Sequence, residues 1–245
     1  MTKKAVFKRA NTLQVVRLGT SSNKKIINDP KEVFVQTYTF SRKQFEHIAN
    51  GRPEGTGMKV FFSMADSNCL DCPFNSFGKC YTHAYDQYIG FISMLKSIVK
   101  QYASWDDLPN YNPIIGKTVV DWSKDRYVRF GSYGEPSLHP EGMIESMSYV
   151  SYKWTGYTHQ WKKNPTLGKY FMASTHSLYE EAIARAKNYR SFMVSEKSTG
   201  STGQLTTCPA SKEGGYKTTC NQCGLCSGTT GTKAVRSVEI INHAK

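Results

Sequence analysis

The chain has 245 residues, a formal net charge of +13 and a mean hydropathy of −0.51. That length suits one domain of ordinary to large size with a real core. The longest apolar stretch, YIGFISMLKSIV, is broken by Lys96 and is too short to span a bilayer, so no membrane partner is expected. The leading run MTKKAVFKRANTLQ carries charges with no apolar core behind them, which argues against a secretory signal and for the cytoplasm. In that compartment seven cysteines point to metal rather than to a disulfide framework.

In chain order, residues 1–58 read as a basic lead-in packed on a main domain spanning 59–245. The first 60 residues hold twelve Lys or Arg against four Asp or Glu, a surface that attracts phosphate backbones. Within the lead-in, EVFVQTYTF suggests a strand, and SRKQFEHIAN a short helix capped by Ser41 and ended by Gly51. KVFFSM (59–64) then predicts a strand that runs into a cysteine loop, followed by a helix over about 82–102. YVRFGS predicts a strand, with a helix from Glu141 to about Lys153 behind it. GYTHQW and KYFMAS are two short strands, and SLYEEAIARAKN is a helix capped by Ser177. YRSFMVS, QLTTCPA and AVRSVEII supply the last strands.

Strands alternating with helices predict an α/β fold. The expected form is an incomplete (β/α) barrel-like parallel sheet with a C-terminal cysteine-rich metal-binding loop. Polar residues fall at the C-terminal ends of the predicted strands: Cys69, then Gly131, Tyr133 and Glu135, Thr158 and His159, Ser174 and His176, Ser195 and Glu196, and Cys208. Parallel α/β folds build sites at that end because their βα loops converge there. His159 and Ser174 are candidate cofactor-binding residues on this ground.

The cysteines divide into four and three. Cys208 joins Cys220, Cys223 and Cys226 of CNQCGLC, a spacing that wraps one cubane [4Fe-4S] cluster. Zinc is the rival, although structural zinc sites more often use two separated cysteine pairs or add histidine. Cys69, Cys72 and Cys80 lie in CLDCPFNSFGKC. A cubane held by three thiolates leaves one iron open, so a second cluster there would have a vacant coordination position. A zinc knuckle completed by His83 and a set of buried thiols without metal are the alternatives.

A cysteine loop after a first strand, then a second strand ending in GSYGEPSLHP, resembles the radical S-adenosylmethionine enzymes. That resemblance implies an open-iron cluster at the three cysteines that chelates S-adenosylmethionine, with Gly134 and Glu135 in the turn that receives its amino group. It spans about residues 59–226 but rests on two short motifs. The family's usual loop is Cys-x3-Cys-x2-Cys, whereas this one is Cys-x2-Cys-x7-Cys. The combination of WTGYTHQW, FMAS and CPAS ahead of CNQCGLCSG is also similar to uncharacterised tailed-phage proteins, which implies the host cytoplasm. For Glu135 the plainer alternative is a carboxylate capping the helix that follows it.

Around His159, the rings of Trp154, Tyr157 and Trp161 beside Lys162 and Lys163 suit a base stacked over phosphate-binding amines, or an ordinary core cluster. The runs GSTG (200–203) and GTTG (228–231) lack the lysine of a phosphate-cradling loop. No Ser–His–Asp order or HExxH helix suggests a hydrolase. Two functions remain: an iron–sulfur, radical S-adenosylmethionine-like enzyme acting on nucleic acid or a small metabolite, or a non-catalytic, metal-stabilised nucleic-acid-binding protein.

Overall fold

The computed structural model describes residues 2–53, 55, 57–75, 80–196, 205–231 and 236–241. Run 200–203 and the end of the PFNSFGK segment therefore lie outside the described residues. The chain opens on a hairpin of β1 (Lys3–Arg9) and β2 (Thr12–Gly19), and β3 (Phe34–Ser41) pairs antiparallel to β2. The sequence suggested only one strand in this region. β2 is buried along almost its whole length, so it lacks the polar alternation that marks a half-exposed strand.

Ser41 ends β3 and caps α1 (Arg42–Ala49) with a full capping box: its hydroxyl accepts from the Gln44 N–H, and its own N–H donates to Gln44 Oε1. Next come α2 (Met58–Ser63), α3 (Asp66–Cys69), a 3-10 turn at Tyr81–His83 and α4 (Tyr85–Val99). The predicted strand at 59–64 is thus a helix. Its short run of apolar and aromatic residues has strand-like propensity, but packing decides: Phe61 and Phe62 are both 1% exposed and meet Tyr88, Phe91 and Tyr133 edge-on.

α5 (Pro113–Ser123) was not anticipated, although Asn112 caps it and Pro113 opens it. β4 (Tyr127–Tyr133) then lies parallel to β3, α6 (Glu141–Val150) follows, and β5 (Lys153–Thr155) lies parallel to β4. These strands form one mixed sheet in the order β1-β2-β3-β4-β5.

The second sheet comprises β6 (Tyr157–Thr158), β7 (Met172–Thr175), β8 (Ser191–Ser195), β9 (Leu205–Thr207) and β10 (Ser237–Ile241). Its order is β6-β7-β8-β10-β9 and every pairing in it is parallel. α7 (Leu178–Ala186), capped by Ser177, joins β7 to β8. Neither sheet closes on itself among the described residues, so the architecture is α/β with one mixed and one parallel sheet.

Gly156 alone separates β5 from β6, and the chain crosses there from one sheet to the other. Its N–H donates to the Cys226 carbonyl and its own carbonyl accepts from Met172, each at 3.0 Å. A Cβ at this point would stand 2.6 Å from the Phe171 ring, so a side chain is excluded.

Alternate strand residues serve two cores. Val16, Val35, Val128 and Phe130 face α5, α6 and α7, where they meet Val119, Met143, Ile144 and Ala184. Leu13, Val15, Tyr38, Phe40 and Tyr133 face α1, α2 and α4, against Phe45, Phe62 and Phe91. Each fully buried ring of this kind contributes about 2–3 kcal/mol. The second sheet carries a smaller cluster of its own. There Met172 and Val238 pack against Cys226, with Tyr157, Phe192, Cys208 and Leu225 around them. No helix among the described residues is long and apolar enough to cross a membrane.

Candidate metal centres

The first cysteine group sits over the C-terminal ends of β3 and β4. α3 brings Asn68 and Cys69 onto β3, where the Asn68 amide donates to the Thr39 carbonyl (2.9 Å). The Asn68 carbonyl accepts the Glu135 N–H at 2.7 Å and so ties the cysteine loop to the turn after β4. The loop then tightens, with the Cys72 N–H bonded to the Cys69 carbonyl (3.1 Å) and the Cys80 sulfur 3.0 Å from the Thr82 hydroxyl.

All three thiols are free and half-buried. Burial pushes the Cys69 thiol far up, and the charges of Cys72, Cys80, Glu135 and Asp66 add to the rise. Cys72 is pushed up to about 12, mainly by burial, with Cys80 and Glu135 contributing. Cys80 is raised by burial against the lowering effect of Thr82. The three sulfurs and Glu135 therefore share one electrostatic neighbourhood.

The turn that carries Glu135 depends on a bulge. Gln36 pairs with Arg129 but Tyr38 pairs with Tyr133, so β4 bows out between them, with Gly131 bonded to the Thr37 hydroxyl (2.9 Å). Gly134 follows at φ +74°, and a Cβ there would lie 1.9 Å from the Thr39 hydroxyl and 2.7 Å from its carbonyl. Gly134→Ala is accordingly expected to cost about 2–4 kcal/mol, from left-handed strain plus overpacking. Urea unfolding would read this as a lower midpoint at unchanged slope. Gly142→Ala on α6, where a Cβ meets nothing, should instead be neutral or stabilising by about 0.5–1 kcal/mol.

Glu135 is 3% exposed. Its carboxylate accepts from the Thr158 hydroxyl (2.7 Å), the His159 N–H (3.0 Å) and the Ser137 N–H (3.1 Å). Burial raises its pKa, and these three donors oppose the rise. The capping contact expected of Glu135 exists at Ser137, on a 3-10 turn (Pro136–Leu138), but it is one bond of three.

His159 is thus fixed by its backbone to Glu135, while its ring stacks on His176 (centroids 5.5 Å, planes 16° apart). Burial lowers the pKa of His159 to about 4, helped by His176, so the ring is neutral at physiological pH. Nε2 of both rings is buried and has no hydrogen-bond partner among the described residues. Phe74 of the cysteine loop meets His176 edge-on at 4.6 Å, and Asp71 of the same loop pairs with Lys163. Ser174 is buried on β7, two residues before His176, and its carbonyl accepts from Trp161 Nε1 (3.0 Å). Cys69, Cys72, Cys80 and Glu135 thus lie near the ends of β3 and β4, and the Glu135 carboxylate links them to His159 at the end of β6, whose ring stacks on His176 just past β7.

The second group lies around the cluster on the parallel sheet where Cys226 packs against Met172 and Val238. Cys208 follows β9, with its N–H on the Glu239 carbonyl (2.8 Å). Cys220 and Cys223 bound α8 (Cys220–Cys223), which ends at Gly224 in the left-handed conformation (φ +64°) before Cys226.

The N-terminal segment clamps this turn: Cys220 and Asn221 donate to the Lys25 and Ile26 carbonyls (3.0 Å each), and the Asn221 amide reaches Glu32 (3.0 Å). Cys226 is pushed well up by burial, with Cys208, Cys220 and Cys223 adding to the rise. Cys208 rises to about 11, by burial first, with contributions from Cys220 and Cys223. Two guanidiniums flank the set. Burial raises the Cys220 thiol and Arg129 opposes part of the rise, while Arg190 feels Cys226 and Cys223 and donates to the Arg236 and Ser227 carbonyls.

Among the described residues, no three or more His, Cys, Asp or Glu side chains converge tightly enough to hold a single metal ion. Zinc–sulfur bonds of about 2.3 Å would draw four sulfurs to roughly 3.8 Å from one another. A cubane places each thiolate on a different iron and spreads them farther apart. The seven cysteines are free thiols in this structure, and sulfur-only donor sets of this kind serve zinc and iron–sulfur groups alike. His83, the fourth ligand of the zinc alternative, stacks on Phe62 (4.0 Å, 28°) at the edge of the apolar core.

The aromatic cluster around His159 belongs to the interior. Trp154 and Trp161 are 8% and 2% exposed, with their indole N–H groups on the Tyr170 and Ser174 carbonyls, and Tyr157 packs on Phe192. Lys162 pairs with Glu180 (2.6 Å) and Lys163 with Asp71, so both amines already have carboxylate partners. Asn68, Arg129 and Arg190 escaped the sequence analysis. Only the position of Asn68 beside Cys69 could have flagged any of them. No family model, no curated protein and no solved structure matches the chain.

Proposed function

We propose that this chain is an iron–sulfur protein in which Cys208, Cys220, Cys223 and Cys226 hold one [4Fe-4S] cluster and Cys69, Cys72 and Cys80 hold a second with an open iron. In this view the second centre works with S-adenosylmethionine, in the manner of the radical S-adenosylmethionine enzymes the sequence resembles, on a nucleic acid or a small metabolite. The two sheets then act as an incomplete (β/α) barrel whose mouth is the site. The likeness to tailed-phage proteins makes the host cytoplasm its place of action.

One observation carries the proposal. The 2.7 Å bond from the Glu135 N–H to the Asn68 carbonyl joins the cysteine loop to the Gly-Glu-Pro turn, at the C-terminal ends of the parallel neighbours β3 and β4. The loop follows α3 rather than a strand, and its Cys-x7-Cys spacing is longer than the family's, yet sulfurs and carboxylate are still neighbours. An open-iron cluster, when bound, supplies the electron that splits the carbon–sulfur bond of S-adenosylmethionine. Cys69, Cys72 and Cys80 would hold it, and Glu135, oriented by Thr158, Ser137 and His159, would offer a carboxylate to an ammonium group. His159 and His176 stack on each other beside it, and Phe74 meets His176 edge-on.

The test is anaerobic purification with iron and acid-labile sulfide analysis, then reduction in the presence of S-adenosylmethionine. Iron and sulfide near eight each per chain, with 5′-deoxyadenosine formed by the wild type and not by Cys72→Ser, is the expected result. Stoichiometric zinc without sulfide, or loaded clusters that never cleave S-adenosylmethionine, would refute the enzyme. A second reading, a metal-stabilised nucleic-acid-binding protein without catalysis, is favoured by the +13 charge and by a lysine-lined cavity beside the four-cysteine tail.

A further inference from the structure

A cavity of about 430 Å³ opens between the N-terminal segment and the cysteine tail, lined by Lys24, Lys25, Asn28, Tyr216, Lys217 and Gln222 among others. We infer that it is a nucleoside-phosphate site, with the phosphate held by Lys24, Lys25 and Lys217 and the base stacked on Tyr216. The inference deepens the nucleic-acid reading and rests on it. It does not depend on the iron–sulfur proposal.

Charge gives the first argument. No carboxylate lines the cavity, and none of its three lysines enters an ion pair among the described residues. Three ammonium groups facing one concave space repel each other, and an anion relieves that repulsion while gaining contacts from all three.

The aromatic residue gives the second. Tyr216 is 54% exposed and sits at φ +49°, a conformation that costs a non-glycine residue about 1–3 kcal/mol. Its N–H is anchored on the Ser211 carbonyl (3.0 Å), and the Lys25 ammonium lies 5.6 Å from its ring centroid. A ring held open beside cations is the combination by which single-stranded nucleic acids are bound, base on ring and phosphate on amine. The Asn28 and Gln222 amides add donors and acceptors suited to a base edge, and the volume falls in the range of small-molecule sites. Inorganic phosphate alone would leave the ring and both amides unused.

The cavity also shares a wall with the four-cysteine group: Gln222 lies on α8, and the Lys25 carbonyl accepts the Cys220 N–H. The cysteine tail thereby holds the two halves of the site together.

The experiment measures binding of a fluorescent single-stranded oligonucleotide to the full chain at low salt, with a 5′-nucleoside monophosphate as competitor. Wild type should bind. Tyr216→Ala should weaken binding roughly 5- to 150-fold, in line with the loss of one stacked base, and Tyr216→Phe should restore it. Lys24→Ala with Lys25→Ala should lower the slope of log affinity against log salt by about 1.4, the value for two single-strand phosphates. Lys117→Ala, on the exposed face of α5, should change nothing beyond a small non-specific term.

Competition by the monophosphate assigns the site to free nucleotides. Strand binding without competition assigns it to single strands, and both outcomes support a nucleoside-phosphate site. Equal oligonucleotide affinity in wild type and in folded Tyr216 and lysine variants would overturn the pocket while leaving the wider nucleic-acid reading intact. Failure of wild type to bind strand or nucleotide overturns both.

Discussion

If the four tail cysteines hold the cluster proposed for them, replacing Cys226 by serine is expected to erase its broad visible absorption and to lower the unfolding free energy of the loaded protein by more than about 4 kcal/mol, the range reached when a metal site is lost. Cys226 is 8% exposed between Met172 and Val238, and its carbonyl holds the Gly156 N–H where the chain passes from one sheet to the other. Losing the centre therefore loosens the covering of the parallel sheet and the junction between sheets together. In chelator-treated protein the same substitution should cost only about 1 kcal/mol, the ordinary price of a small change in a packed interior. Cys72→Ser is the matched control, expected to remove iron from the other group and to leave the tail's absorption intact. Full iron content and an unaltered spectrum in Cys226→Ser would sink the four-cysteine assignment.

The elements most legible in the sequence were those with their own punctuation. Ser41 and Ser177 both cap the helices expected of them, and YVRFGS and YRSFMVS are strands, because caps and β-branched runs act locally. The failures came where tertiary contacts overrule local preference. KVFFSM is helical because Phe61 and Phe62 must both be buried, on adjacent positions, against α4 and Tyr133. β2 was taken for part of a lead-in because a strand covered on both faces loses its alternation.

The candidate sites divide in the same way. Cysteine spacing along the chain grouped the four tail thiols and the three loop thiols, and in each group the charges of the sulfurs reach one another. The role of Asn68 was not legible, because a backbone carbonyl that receives the Glu135 N–H leaves no mark in composition or period. Nor was the clamp on α8 by residues 25–32, since it joins segments almost two hundred positions apart. Of the two readings open for the aromatic run around His159, the core cluster holds. Trp154 and Trp161 each spend their one donor on a backbone carbonyl inside the core, whereas Tyr216, in a loop with no aromatic neighbours in sequence, is among the exposed rings.

Acid should destabilise this fold through His139, a residue with no part in either cysteine group. Its ring is 1% exposed beside Phe7, and neither ring nitrogen has a partner among the described residues. Burial, with the Arg9 charge nearby, holds its pKa down at about 3 against an ordinary 6.5. The folded state therefore binds fewer protons than the unfolded state between these two values. The stability His139 contributes is complete above about pH 6.5 and is lost as the pH falls toward 3. The full loss is on the order of 4–5 kcal/mol, large against the total stability of a domain this size. Carboxylates such as Asp66, whose pKa its hydrogen bond to Lys43 lowers, lose their share only below their own ordinary range, so the two effects separate in pH. His139→Leu removes the titrating ring and two unsatisfied nitrogens, at the cost of some packing against Phe7. Urea midpoints for wild type and His139→Leu should thus lie close together at pH 7 and diverge steadily from pH 6.5 down to 3, with the variant the more resistant. Parallel profiles over that window would mean that the ring protonates without cost, and that His139 is not the acid-sensitive element of the fold.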